Sequence, residues 1–304
     1  MIRFWGVRGS IPCPGPDTVQ FGGNTSCVEV RTGEQIIILD AGTGLRNLGR
    51  RLVGEFQDGP LQLDLLLSHT HWDHIQGLPY FAPLYRPNAH LRVFGYEGAR
   101  SSLSAALFNQ MESPFFPVGL QDVPSRLEIR ELKELTFQVG TVRVDSRQAN
   151  HPGLCVGYRL TTADGTLAFF PDNELRIGQQ QARAAAGLPE ECSAAQARGE
   201  EVRLVEFLKD VDVLIMDAQY TPEEYVEHLG WGHGCVDDVV KLALEAHVKR
   251  LFLFHHDPDH DDQTVARIET HARQLARSAG STMQVQAARE GVEQTLTRTP
   301  TVTA

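Results

Sequence analysis

Residues 68–77 read "SHTHWDHIQG" and directly follow the apolar run "LDLLL" at 63–67. His69, His71, Asp73 and His74 fall within six positions of one another. In an extended segment alternate side chains point the same way, so His69 and His71 share a face, while Asp73 and His74 fall in the turn into a following helix. Four donors then surround one pocket at a strand end. Imidazole nitrogen and carboxylate oxygen are the donors that zinc and other borderline divalent ions take. A lone histidine at such a place reads as a polar turn or a helix cap, whereas His-x-His-x-Asp-His reads as a metal site.

Composition narrows what such a site can serve. The chain has 304 residues, enough for a full core in one large domain. Its formal net charge of -11 argues against a protein that coats nucleic acid through a broad basic face. A small anionic substrate is compatible with that charge if local cations override the global sign. Five cysteines, at 13, 27, 155, 192 and 235, are scattered and odd in number, so neither a disulfide framework nor a Cys-based zinc finger is expected. The opening "MIRFWGVRGS" lacks the basic and long apolar regions of a signal peptide. The apolar runs "QIIILD", "LDLLLS", "DVLIMD" and "RLFLFHH" are far shorter than the roughly 20 residues of a membrane helix. A cytoplasmic, soluble protein without membrane partners is the expectation.

Short Val-, Ile-, Leu- and Phe-rich runs predict strands at 2–7, 26–31, 35–40, 63–68, 90–95, 134–139, 141–147, 156–162, 166–171, 212–217 and 250–255. Helical patterns fall at 43–53, 75–84, 97–110, 200–209, 236–247 and 263–277. Strands interleaved with helices predict an α/β (α+β) chain, two mixed sheets packed face to face and flanked by helices. Residues 108–126, "FNQMESPFFPVGLQDVPSR", carry three prolines and read as a long lid or binding loop. Residues 176–200 read as a polar helix or a connection.

One cluster does not complete two metal spheres, and further donors recur at other strand ends. "DSRQANHPG" places His151 beyond the strand at 141–147, "AFFPDNE" places Asp172 after another, and "RLFLFHHDPDHDD" places His255 and His256 after a third. Each alone is weak, since a strand-end Asp is usually a turn former. Their recurrence after apolar runs is what points to one sheet edge.

The ordered set "LDAGTG", "SHTHWDH", "NHPG", "FFPDNE" and "LFHHDP" resembles the motifs of the metallo-β-lactamase fold hydrolases over about residues 1–290. Within them the resemblance is to the phosphodiesterase branch, which includes tRNase Z and the cyclic-phosphate and cyclic-nucleotide phosphodiesterases. It implies a single domain over 1–290, with 291–304 as a polar tail. It also implies one divalent ion on His69, His71 and His151, a second on Asp73, His74 and His255, and Asp172 bridging. Zinc is the expected metal, with manganese as the alternative, and Asp40 is expected to orient the ligands by hydrogen bonds. Aligning "FLFHHDP" with the tRNase Z pattern Leu-Thr-His-Phe-Ser-Pro assigns the ligand to His255. His256 is then left to hydrogen-bond Asp257 or Asp259, or to contact substrate.

"GWGHGCVDDVV" resembles the Gly-His-Ser-Thr element of tRNase Z, which makes His233 the candidate general acid or oxyanion stabiliser. "VLIMDAQY" lies where that family carries His-Glu-Ala-Thr, so Asp217 takes the glutamate's place as the residue orienting His233, with a shorter reach. The bland alternative makes His233 a helix-cap residue in a Gly-rich loop. The amino-terminal "FWGVRGSIPCPG" and "FGGNTSCVEV" read as strand, Gly/Pro-rich loop and strand, the glycines serving either a close backbone approach or a tight turn.

The resemblance implies a dinuclear metal-dependent phosphodiesterase in which an activated hydroxide attacks phosphorus, Asp73 orients or deprotonates the attacking water, and His233 assists the leaving oxygen. A tRNA substrate calls for a basic, Gly/Pro-rich arm that the sequence lacks, so a small cyclic phosphodiester is expected, a 3′,5′-cyclic nucleotide first. Aromatics in 108–126 suit stacking on a nucleobase, although Phe115 and Phe116 serve equally as loop packing. The alternatives are tRNA 3′ processing, thioester or lactone hydrolysis, and a metal-binding module without turnover. Relatives in this branch commonly pair, so a homodimer is expected.

Overall fold

The computed structural model describes residues 1–96, 102–189 and 191–297. The predicted helix at 97–110 and the tail at 291–304 therefore lie partly outside the described residues. The chain divides into two compact units, Met1–Gly140 with Arg289–Thr295, and Thr141–Ala288 with the residues from Leu296.

The first unit is built on β1 (Ile2–Gly6), β2 (Cys27–Thr32), β3 (Gln35–Leu39), β4 (Leu61–Leu66), β5 (Ala89–Tyr96) and β6 (Arg126–Leu132), which lie in that order in one sheet. β1 to β3 pair antiparallel, and β3 to β6 pair parallel. Burial alternates along β1, where Ile2 and Phe4 are fully buried, as a sheet covered on one face requires. α1 (Gly44–Phe56) turns Leu45, Leu48 and Leu52 inward at three- and four-residue spacing, the single apolar stripe of a helix that packs on a sheet. Each such leucine contributes about 1.5–3 kcal/mol relative to exposure. α2 (Trp72–Ile75), α3 (Leu103–Asn109) and β7 (Thr136–Val139) complete the passage to the second unit.

The second unit carries β8 (Val142–Gln148), β9 (Val156–Thr161), β10 (Thr166–Phe170), β11 (Val213–Asp217), β12 (Arg250–Phe254) and β13 (Gln284–Ala287). They lie as β13-β12-β11-β10-β9-β8, parallel from β13 to β10 and antiparallel from β10 to β8. β11 is buried along its whole length, as expected for a parallel strand covered on both faces. Its helices are α4 (Arg176–Ala185), α5 (Ala194–Leu208), α6 (Pro222–Tyr225), α7 (Val236–Glu245) and α8 (Asp262–Ser278). Ser193 and Asp261 cap α5 and α8 by accepting from Gln196 N and Thr264 N. The chain then returns to the first unit, where β14 (Glu293–Gln294) pairs antiparallel with β1.

The fold class is the predicted one, α/β with two mixed sheets flanked by helices. Three local expectations change. The helix expected at 75–84 is α2 followed by 3-10 turns at Leu78–Tyr80 and Ala82–Tyr85, because Pro79 and Pro83 supply no N–H to a continuing α-helix. Residues 126–132, "RLEIREL", form the edge strand β6, whose charges belong on an exposed edge and hide the strand signal. Part of the stretch read as a polar tail is β14, too short for any periodicity to announce. No helix among the described residues is long and apolar enough to cross a membrane.

Candidate metal centre

In the first unit the backbone of β4 carries past its end into the histidine cluster. Leu67 N donates to Phe94 O, and Asp40 N donates to Leu66 O, so the ends of β3, β4 and β5 stay in register. His71 sits before α2, which presents Asp73 and His74 in its first turn, and Ala41 N donates to His74 O. The ring of His69 lies 4.4 Å from that of His71 and 4.2 Å from that of His74. His69, Asp73 and His74 are buried, while His71 and Trp72 are exposed.

Asp40 organises this cluster as expected. Its fully buried carboxylate accepts from Ser26 Oγ at 3.0 Å, Ser68 N at 2.8 Å and Ser68 Oγ at 3.0 Å, and lies 2.7 Å from His74 Nδ1. Because a carboxylate only accepts, His74 carries its proton on Nδ1. Ser68 gives its one proton to Asp40, so its oxygen accepts from His69 Nδ1 at 3.0 Å. Both rings therefore present Nε2 as the lone-pair nitrogen.

In the second unit the parallel register sets the site. Phe170 pairs with Met216, and Asp217 pairs with Phe254, so Asp172, Asp217 and His255 leave neighbouring strands at the same edge. His255 has φ 61°, a left-handed turn that carries the chain out of β12. Its Nδ1 donates to Gln219 Oε1 at 2.9 Å, and that amide in turn donates to Asp257 at 2.7 Å. His151 Nδ1 donates to the carbonyl of Gly232 at 3.0 Å. These two rings also present Nε2, and they do so toward Asp172, at 3.4 Å from His255 and 3.6 Å from His151.

The donor set fits divalent metal ions. Lone-pair nitrogens face carboxylate oxygens at Asp172, and the same holds in the first unit, where His74 Nε2 lies 3.1 Å from Asp73 Oδ2. Acceptor facing acceptor is repulsive, and a bound cation turns each contact into coordination. Asp172, His233 and His255 also bring one ligand atom each within 4.8 Å of one another.

His233 meets the expected partner. Its Nδ1 lies 2.9 Å from Asp217 Oδ2, so the shorter aspartate does reach, and Asp217 is fixed by accepting from Asn173 N at 3.1 Å and Gln219 N at 3.0 Å. The ring stacks on that of His255 at 4.8 Å. His256 has a partner besides the expected acids: its Nε2 donates to the carbonyl of Ala288 at 2.9 Å. In the 108–126 loop Phe115 is 80% exposed, whereas Phe116 meets Tyr80 edge-on at 5.5 Å.

Four supporting groups escaped sequence reasoning. Ser68 and Gln219 fix the tautomers just described, and Ser10 N donates to Asp73 Oδ2 at 2.8 Å. Glu174 accepts from Tyr225 Oη and from the amides of Gly230 and Gly232, tying down the loop that carries His233. Burial raises its carboxyl above the usual range against these bonds. Only Glu174 left a signal, as the acid closing "FFPDNE".

The family described as beta-lactamase superfamily domain matches residues 35–187, just over half of the chain. Ribonuclease Z from Archaeoglobus fulgidus is 26% identical over 286 residues, covering 84% of this chain and 86% of that protein. Among solved structures, the metallo-beta-lactamase fold protein YhfI from Bacillus subtilis aligns with a TM-score of 0.65 at 16% identity, covering 96% of both chains. A diphosphatase from the PhnP family aligns with a TM-score of 0.62 at 17% identity, covering 96% of this chain and 94% of that one. The fold and the ordered motifs thus agree with the match, and the chain belongs to the beta-lactamase superfamily as a metallo-β-lactamase fold hydrolase.

Proposed function

We propose that this hydrolase cleaves a small cyclic phosphodiester, with 3′,5′-cyclic nucleotides as its first substrate class. The observation that carries the reading is the His233–Asp217 pair standing beside Asp172, an oriented proton donor at the edge where the candidate ligands of the second unit converge. The ligand assignment we adopt is His69, His71 and His151 for one ion and Asp73, His74 and His255 for the other, with Asp172 shared. Zinc is the proposed metal. A bound pair of divalent ions supplies a water acidified toward neutral pH and positive charge against the phosphate oxygens.

The chain's own groups do the rest. Asp73, held by Ser10 N, orients the attacking water and receives its proton. Asp217 keeps one proton of His233 on Nδ1 and stabilises the imidazolium that forms when Nε2 takes up a proton from solvent, the proton that Nε2 then gives to the departing oxygen. The net charge of -11 supports a small substrate over a long polyanion, and exposed Phe115 and Trp72 suit stacking on a base. We further propose a homodimer in the cytoplasm, in keeping with five free cysteines.

The ribonuclease Z relative favours a second reading, cleavage of a tRNA precursor. Zinc- and manganese-loaded protein incubated with 3′,5′-cyclic nucleotides, a tRNA precursor, a thioester and a lactone separates the readings by chromatography of the products. Opening of the cyclic nucleotides to monophosphates supports the proposal. Turnover confined to the tRNA, or to the thioester and lactone, overturns it.

A further inference from the structure

β8 ends at Gln148, and the loop after it carries Asn150 and His151, while the loop after β10 carries Asp172, Asn173 and Glu174. Three hydrogen bonds lock these loops together: Asn150 N to Asn173 Oδ1, Asn150 Nδ2 to Glu174 O, and Glu174 N to Asn150 O, each at 2.9 Å. With α5 they enclose a cavity of about 330 Å³ whose wall includes Arg147, Arg176 and Arg203. That volume lies within the range of small-molecule pockets.

The three arginines are not equivalent. Arg176 is paired with Glu200 at 3.0 Å. Among the described residues, the guanidinium groups of Arg147 and Arg203 make no hydrogen bond or ion pair with a carboxylate. Burial, and then repulsion from Arg203, hold Arg147 below the usual arginine range, with only partial relief from Glu200. The wall has two further carboxyls: Glu201 is raised by burial and by Glu245, and Glu174 is raised by burial and already accepts from Tyr225 Oη and the amides of Gly230 and Gly232, which weakens both as counter-charges. The amide nitrogen of Asn173, a residue of the same wall, is buried and donates to nothing among the described residues. Two like charges and a spare donor around one cavity call for an anion, and the guanidinium fork matches phosphate oxygens.

We propose that this cavity is a phosphate subsite in which Arg147 and Arg203 hold a second phosphate of the substrate, beyond the scissile one. The inference rests on the phosphodiesterase reading of neighbouring His151 and Asp172, and within the small diesters it assigns the highest kcat/KM to those that bear a further phosphate. These local cations also account for anion binding by a chain whose net charge is -11.

The test compares the metal-loaded enzyme on thymidine 5′-(p-nitrophenyl phosphate) and on its 3′-phosphorylated counterpart, which differ by one phosphate. The expected kcat/KM ratio favours the phosphorylated substrate by about tenfold, the size of one charge-assisted hydrogen bond. It falls to about one in Arg147→Gln and in the Arg147→Gln, Arg203→Gln double variant, and Arg147→Lys restores part of it. A wild-type ratio near one, or a ratio that the glutamine variants leave unchanged, overturns the proposal. If the wild type cleaves neither of these linear diesters nor a 3′,5′-cyclic nucleotide, the phosphodiesterase reading fails instead; whenever the two linear diesters are not cleaved, calorimetric binding of thymidine 3′,5′-bisphosphate decides the subsite. Binding about tenfold tighter in the wild type than in the double variant supports it, and equal binding overturns it.

Discussion

Gln219 shows how much of this site depends on a single neutral side chain. Its amide oxygen holds the Nδ1 proton of His255, and its amide nitrogen is held by Asp257. Gln219→Ala releases the ring, and metal affinity is expected to fall by about 10–100-fold, the usual cost of losing such a partner. Competition with a chromophoric chelator reads this directly, and an unchanged affinity would show that His255 is not a ligand. His233→Ala tests a different role. It should lower kcat by about 10²–10⁴-fold while metal content stays the same, because the variant removes a proton donor and no ligand. A variant that loses its metal together with its activity would instead make His233 a ligand. At this scale the charged and imidazole residues were legible because they recur after successive apolar runs, in an order that resembles the family's motifs. Ser68, Ser10 and Gln219 were not, since Ser and Gln serve everywhere and only their partners reveal them.

At the scale of elements, β10 and β9 decide where Asp172 stands. Gly157 in β9 lies against the ring of Phe170 at the end of β10, and a methyl group there would overlap that ring. Gly157→Ala must push the strand end that leads into Asp172, at a cost of about 1–3 kcal/mol in urea unfolding, together with weaker metal binding. A neutral substitution would mean that Phe170 moves freely and that β10 does not set the position of Asp172. Gly232 makes the complementary point in a loop. At φ 90° its carbonyl reaches His151 Nδ1, and a side chain would run into the His151 ring. The strands that carry the site were readable as apolar runs ending in a donor. β6 and β13 were not, because "RLEIREL" and "QVQA" mix charge or amides into the pattern, and an edge strand tolerates that.

For the whole molecule, the thiols report on packing. Cys27, Cys155 and Cys235 are buried, whereas Cys13 and Cys192 are partly exposed. Burial pushes Cys235 up to about 12 and raises Cys27 as well, so neither supplies thiolate at neutral pH. Titration with a thiol reagent near pH 8 should count the two exposed groups quickly and all five only after denaturation. Five fast thiols in the native protein would contradict the described cores. The scattered cysteines had already argued against a disulfide framework, and the order of the motifs along the chain carried the family.

The central claim is that strand-end donors of this chain hold a pair of divalent ions on which phosphodiester hydrolysis depends. The most direct measurement is the metal content per chain by mass spectrometry, in the wild type and in Asp172→Ala, each assayed in parallel for opening of a 3′,5′-cyclic nucleotide. The account predicts two ions per wild-type chain, with loss of both metal and turnover in the variant. Two retained ions and full turnover in Asp172→Ala would contradict it.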